Sequence, residues 1–420
     1  MRASPRMTRA RRVSMTLFAA VTLLASSALG ASKYKVLHNF GSSNDGSVPF
    51  GPLTLDGKGN LYGVTFDGGT GLCSDYGCGT VFELKHLANG TWQEAILNNF
   101  TAGSGGSAPE GGLIFGSAGN IYGTMLGDLS FAVGGIFELS PSSGGWSYTL
   151  TYSGNAGPGL LIDKAGNLYG DIGPGQYKYY GAIAELSRGS NGWNYTALYS
   201  FCGQYRCPEG YNLPAPPIWD GKGNLFGTTE DGGIGQPACW TSAGCGVIFE
   251  MTPNGDGTWT YHVLHRFASF PTDGQSPDGG LAMDASGNLY GVTGLGGVHN
   301  HGTVFKFTFR GGQWRQTVLY DFPNCADGCY PGRTPVFDKL GDLYGVSDGG
   351  LPDCGGYTCG VVFKLTPQKN GAWTYSVVHK FAGNDGAFPW GVIVDDKGNL
   401  FGTTENGGTY NAGVAFEITP

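Results

Sequence analysis

Asp220-Gly-Lys-Gly-Asn-Leu-Phe-Gly-Thr-Thr-Glu-Asp-Gly-Gly233 reads as a turn, a strand and a loop in that order. An Asp can cap a tight turn with its own side chain, and glycine is free to take positive φ there. Leu225, Phe226, Thr228 and Thr229 then supply strand-forming side chains. The opening phrase, Asp-x-x-Gly-Asn-Leu-Tyr-Gly with small variations, recurs at Asp56–Gly63, Asp163–Gly170, Asp284–Gly291, Asp338–Gly345 and Asp395–Gly402. A degenerate copy lies at Gly116–Gly123, which brings the total to seven. The final glycines stand 60, 47, 57, 64, 54 and 57 residues apart. Repeats of this period mean a solenoid, a propeller or an array.

Each phrase sits inside a set of four strand-like pieces. A short apolar stretch such as Gly51-Pro-Leu-Thr-Leu55 precedes it. The phrase itself supplies the second strand, and Thr80-Val-Phe-Glu-Leu84 is a third. A Gly-containing turn and a Trp then introduce the fourth, Trp92 to Phe100. Trp146, Trp193, Trp259, Trp314 and Trp373 hold the same place in later copies. Four short strands per repeat make the blade of a β-propeller. Tyr34–Phe40 is a fourth strand with no blade before it, and Gly413–Ile418 a third strand with no fourth after it. The N-terminal strand would complete the last blade and close the ring, removing the exposed edge of an open array. The predicted fold is therefore all-β: a single seven-bladed β-propeller over residues 31–420, four strands per blade.

Composition agrees. The chain has 420 residues, of which Gly supplies 77, and only 13% are charged while 13% are aromatic. Disorder calls for high charge with few aromatics, and this is the reverse. The first 30 residues resemble a secretory signal peptide: Arg9, Arg11 and Arg12, an apolar run from Met15 to Leu24, then Ala28-Leu29-Gly30. Without that segment and its five arginines the formal charge falls from −8 to −13. No basic run offers a nucleic-acid footprint, and no later segment is apolar enough to span a membrane. A secreted or periplasmic monomer is expected. Ten cysteines form five close pairs, Cys73/Cys78, Cys202/Cys207, Cys239/Cys245, Cys325/Cys329 and Cys354/Cys359. In an exported chain that pattern predicts local disulfides. Zinc would call for CxxC knuckles.

Three phrases carry a resemblance to a known family: Asp220–Gly233, Gly79-Thr-Val-Phe-Glu-Leu84 and Trp259-Thr-Tyr-His-Val-Leu-His-Arg-Phe267. They are similar to the GloVer tandem repeat, named for Gloeobacter and Verrucomicrobia, across residues 33 to 420. The resemblance implies an exported protein with a propeller-like array. It brings no established catalytic residues to carry over to this chain.

Strands alternate direction, so the second-to-third loops and the blade-to-blade loops open on one face. That face carries the longer loops and all five cysteine pairs. Stapling there either preorganises a binding surface or protects long loops from proteolysis. Tyr76, Tyr177, Tyr179, Tyr180, Tyr205, Tyr211, Trp240, Tyr357, Trp390 and Tyr410 map to it. Tyr and Trp join an apolar face to a polar tip and suit sugars and protein surfaces. Tyr177, Tyr179, Tyr180, Trp240 and Trp390 are the candidate ligand contacts, and Asp171–Tyr180 in the third repeat is an expected specialised patch.

Acids share the face. Glu110 and Asp278 come where a first strand begins, near the channel; Asp67, Glu230, Asp231, Asp348 and Glu405 end second strands. Glu110, Asp278 and Glu230 are the catalytic candidates for glycoside cleavage, though repeated loop carboxylates are more often turn caps. A binding module for carbohydrate or protein leads. A carbohydrate-active hydrolase or lyase is the alternative, and a lactonase-like metal enzyme holding its ion with Glu110 and Asp278 is a third reading. No metal or cofactor fingerprint appears: H-E-x-x-H, P-loop and dinucleotide motifs are missing. His299-Asn-His301 offers too few ligands for a metal. His38, His265 and His379 share one fourth-strand position with Asn98, Tyr152, Tyr199 and Tyr320 and are expected to be structural. Gly345-Val-Ser-Asp-Gly349 fits G-x-S-x-G only formally, with no helix to follow it.

Overall fold

Asp56 builds its turn as the residue pattern dictates. Its Oδ1 accepts from the amides of Lys58 and Asn60, both at 2.8 Å, and its Oδ2 accepts from Asn60 Nδ2 at 2.9 Å. Asp220, Asp284 and Asp395 make the same three bonds. The carboxylates are thus consumed as turn caps. The phrase's last glycine has a different cause. A Cβ on Gly63, Gly123, Gly227, Gly291 or Gly345 would lie 2.4–2.5 Å from Cζ of a third-strand Phe: Phe82, Phe137, Phe249, Phe305 or Phe363. Each ring crosses its neighbouring strand where no side chain can stand.

The computed structural model describes residues 32–420, except 43, 74–75, 104–105, 128–133, 174–180, 191, 202–206, 234–238, 240–243, 269–272 and 351–357. Tyr177, Tyr179, Tyr180, Tyr205, Trp240, Tyr357, Cys202 and Cys354 lie outside the described residues. Seven antiparallel sheets form the blades of a seven-bladed β-propeller. Blade 1 is typical, with Gly46–Pro49 and Thr54–Leu55 innermost, then Leu61–Gly68, Thr80–His86 and Trp92–Asn99. Blade 7 comprises Ala387–Val394, Leu400–Asn406 and Val414–Thr419, and Lys33–Asn39 pairs with the last of these as its outer strand. The ring closes as the sequence predicts.

The core is divided among the seven interfaces between blades. Leu53, Leu61, Phe82 and Leu84 of blade 1 meet Phe40, Phe401 and Ala415 of blade 7. Equivalent clusters join the other six pairs. A fully buried Phe contributes about 1.5–3 kcal/mol, so Phe40, Phe82, Phe249, Phe305, Phe363 and their counterparts dominate stability. A proline before most blades adds a lock. Pro109, Pro277, Pro331, Pro389 and Pro49 each approach the glycine that precedes a third strand in the blade before, for instance Gly302 against Pro331. The residue before each of these prolines donates its amide across the same interface, as Tyr330 does to His301 O at 2.8 Å.

The outer strands stack in a second pattern. Tyr34 of blade 7 lies flat on His379 of blade 6, with centroids 4.0 Å apart and planes 7° apart. Tyr261 lies likewise on Tyr199 at 4.0 Å, and Tyr375 on Tyr320 at 4.1 Å. The histidines at this position bond acids in the following loop: His265 Nε2 to Asp273 Oδ2 at 2.9 Å, His379 Nε2 to Asp385 Oδ2 at 3.0 Å. Their structural role is as expected.

Three disulfides are fully described: Cys73–Cys78, Cys239–Cys245 and Cys325–Cys329. Cys207 and Cys359 are disulfide-bonded as well. Cys78, Cys207, Cys245, Cys329 and Cys359 are buried, and four of them sit inside the inter-blade clusters. The bonds therefore extend the core upward between blades as well as tethering loops.

Candidate ligand site at the central channel

The first strands surround a cavity of about 290 Å³ on the propeller axis. Its walls are largely apolar: Leu113, Ile114, Leu160, Pro214, Pro216, Val336, Val392 and Ile393. At the mouth, where first strands begin and second strands end, blades 5 to 7 bring charged groups of both signs together.

Arg333 is the centre of that group. It starts the inner strand of blade 6, Pro331–Phe337. Its amide donates to Asp278 O of blade 5 at 2.5 Å, as Gly111 of blade 2 donates to Phe50 O of blade 1 at 2.9 Å. Arg333 and Gly111 are therefore equivalent positions. Gly111 has φ +76° there, and Arg333 has φ +68°. Glycine takes this conformation freely, whereas other L residues are strained by roughly 1–3 kcal/mol. Such strain persists where the surroundings over-determine it, often at functional sites.

The Arg333 guanidinium Nη1 donates to Asp278 Oδ1 at 3.3 Å. Its Cζ stands 3.6 Å from the Trp390 ring centroid, a cation–π contact. Phe50 packs on Trp390 at 3.9 Å and on Phe66 at 5.2 Å. Arg333 Nε and Trp390 Nε1 are both buried and have no hydrogen-bond partner. Two unspent donors in one recess are a costly arrangement for a folded protein.

Asp348 ends the second strand of blade 6 and interacts electrostatically with Arg333, Asp278 and Glu405. Burial is the main cause that pushes its carboxyl up to about 6; Asp278 and Glu405 add to the shift and Arg333 opposes it. Burial also raises Asp278, again opposed by Arg333. Asp278 still faces the channel, with 37% of its side chain exposed.

The structure thus brings together Asp278, Asp348, Glu405 and Trp390 from the sequence-predicted set and adds Arg333. It does not bring Glu110 to them: that buried residue opens the inner strand of blade 2, Pro109–Phe115, three blades from Asp278 around the ring. The charge beside Asp278 is a guanidinium, so a metal held jointly by Glu110 and Asp278 has no support here. Glu230 lies apart as well. It accepts from Asn212 Nδ2 at 3.1 Å, which also donates to Asp231 at 3.1 Å. Tyr211 is core, in the interface of blades 3 and 4, while Tyr76 and Tyr410 are exposed. Asn300 takes φ +57° and accepts from Gly296 N at 3.0 Å, so His299-Asn-His301 forms a turn. Ser347 Oγ donates to Gly349 O as Thr65 Oγ1 does to Asp67 O; it replaces the repeat's Thr and is no nucleophile elbow.

Arg333 had one signal in the sequence. Residues 31–420 hold only six arginines, and this one occupies a place where blades 1, 2 and 5 carry Gly51, Gly111 and Gly279.

Among known proteins, the profile of the Gloeobacter/Verrucomicrobia repeat matches residues 24–237 and again 214–420. No curated protein matches the chain. Solved structures resemble it in fold. One is described as an oxidoreductase (glucose dehydrogenase) from Thermus thermophilus, with TM-score 0.44 and 13% identity over 93% of this chain and 100% of that one. Another is described as a 6-phosphogluconolactonase from Bacteroides uniformis, with TM-score 0.49 and 11% identity over 90% of each chain. A third is a Trypanosoma rangeli sialidase in complex with sialic acid, with TM-score 0.42 and 10% identity over 93% of this chain and 59% of that one.

Proposed function

Since the chain belongs to the Gloeobacter/Verrucomicrobia repeat family, we propose that it is an exported propeller that binds a neutral, polyhydroxylated ligand of the carbohydrate class at its channel mouth. The observation that carries this reading is Arg333 on Trp390, each with a buried donor lacking a partner. A sugar hydroxyl can accept from the exposed part of the Arg333 guanidinium, which keeps 25% of its side chain accessible, and donate to Asp278, Asp348 or Glu405. The apolar channel below suits the C–H faces of a ring. Neutrality fits the recess, because the acids outnumber the single guanidinium and an anionic ligand would meet repulsion. Tyr177, Tyr179, Tyr180 and Trp240, which lie outside the described residues and which the sequence assigns to loops, are proposed to extend the contact. Disulfides fit an oxidising compartment, and residues 1–30 have the form of a signal peptide. Alkylation without reductant should therefore leave intact mass unchanged, since no cysteine among the described residues is free.

A second reading is hydrolysis, and Asp348 favours it. A carboxyl held near 6 can act as general acid while a neighbouring carboxylate, Asp278 or Glu405, serves as base or nucleophile. One experiment separates the two. Residues 32–420 are mixed with insoluble and soluble polysaccharides, and bound protein and released reducing sugar are measured in the same tubes. Retention without release supports the binder. Release that Asp348→Asn abolishes supports the hydrolase. Neither retention nor release overturns both and points to a protein ligand.

A further inference from the structure

The seam where the ring closes departs from the stacking pattern of the outer strands. At each interface, one outer-strand position faces the His/Tyr position of the blade before. Register identifies it: Tyr34 pairs with Ile418, Tyr195 with Leu186, Tyr261 with Met251 and Tyr375 with Leu365. The same register holds Glu94 opposite Leu84 in blade 1 and Gln316 opposite Phe307 in blade 5. Between blades 7 and 1, then, a carboxylate stands where most interfaces place a tyrosine ring. It faces a histidine, with His38 Nε2 3.6 Å from Glu94 Oε2. His38 Nε2 also lies 3.0 Å from Asp45 Oδ2.

We propose that His38 Nε2, Asp45 Oδ2 and the Glu94 carboxylate bind one first-row divalent cation, zinc in the first instance, that clasps the N-terminal strand to blade 1. The three ligand atoms lie within 4.8 Å of one another. Metal–ligand bonds of about 2.0–2.2 Å hold donors at such separations. One imidazole with two carboxylates suits zinc and its first-row neighbours better than calcium, which prefers oxygen alone. The carboxylate of Asp45 is already aimed: Gly46 N donates to its Oδ1 at 2.6 Å, which leaves Oδ2 towards His38. A ligand so oriented binds more tightly. Glu94 Oε1 is buried and has no hydrogen-bond partner, so a second coordinating lone pair is available. His38 and Glu94 keep 21% and 16% of their side chains exposed, which leaves an entry path and room for a water in the fourth position. The fold supplies its own controls. His265–Asp273 and His379–Asp385 repeat the pair with Gln316 or Tyr34 at the third position, and neither makes such a trio among the described residues.

The test uses tag-free protein of the compact unit Ser32–Pro420, stripped with chelator and dialysed against zinc or manganese. Metal per chain is measured by mass spectrometry and thermal unfolding is followed with and without zinc. The expected result is about one zinc per chain and a higher Tm with zinc. Glu94→Gln installs at the seam the residue blade 5 already carries, so it should fold. It should weaken zinc at least tenfold and lose the Tm shift. His265→Gln should keep both. Wild-type protein that retains no zinc, or stoichiometric zinc in folded Glu94→Gln, overturns the proposal.

Discussion

Blades 2 and 6 place the same backbone position at the channel and spend it differently. Blade 2 puts Gly111 there, unstrained, and its neighbours around that wall are Gly159, Pro214, Ala215 and Pro216. Blade 6 puts Arg333 in the same left-handed conformation, pairs it with Asp278 and lays it on Trp390. The first wall keeps glycine at that position, while it too buries carboxyls, Glu110 and Asp171. The other carries strain, a buried charge and unpaired donors. In a repeat protein the scaffold is what the copies share, and the departures that cost stability mark where selection asked for something else.

Changing a shared position should have the largest effect. Gly227→Ala drives a methyl into Phe249 at 2.4 Å and should cost about 3 kcal/mol in chemical denaturation. Gly170→Ala in blade 3 should cost under about 1 kcal/mol, because Ala184 replaces the phenylalanine opposite it. Equal losses would show that the ring does not set the glycine.

Asp348 comes next. Its folded-state carboxyl lies at about 6, above the ordinary carboxylate range. A raised acid stabilises fully below its unfolded pKa, and that contribution is lost as pH rises through the folded one. Stability should thus fall from about pH 4 to pH 7 by roughly 2 kcal/mol from this group. Asp348→Asn should flatten that slope and raise Tm at pH 8. An unchanged slope would remove Asp348 from the buried charge cluster.

The smallest effect is expected at Arg333. Arg333→Gly restores the repeat's residue and relieves roughly 1 kcal/mol of strain, while Asp278 loses its counter-charge. The two terms oppose, so stability should change by less than about 1 kcal/mol. A loss above about 3 kcal/mol would make Arg333 a structural residue.

Strand count, closure and the turn role of the repeated aspartates were legible because each rests on local chemistry repeated seven times. The site was only half legible. Asp278 could be placed near the channel, and Asp348 and Trp390 on the same face, by counting from the repeat, but nothing in one repeat says which blades face each other across it. Glu110 and Asp278 looked equivalent in sequence, and ring geometry separates them by three blades. Arg333 escaped because acids and aromatics drew attention first, and its signal is conformational. Glu94 escaped for a related reason: His38 belongs to the strand that completes blade 7, and the two meet only where the ring closes.

The central claim is that the wall built by blades 5 to 7 binds a ligand and the wall opposite is scaffold. The direct measurement is retention on the polysaccharide panel by wild type, Arg333→Gly and Ala215→Gly, each shown folded by its thermal transition. Loss of retention in Arg333→Gly alone is the predicted result. Retention that survives in Arg333→Gly, or falls equally in Ala215→Gly, would contradict it.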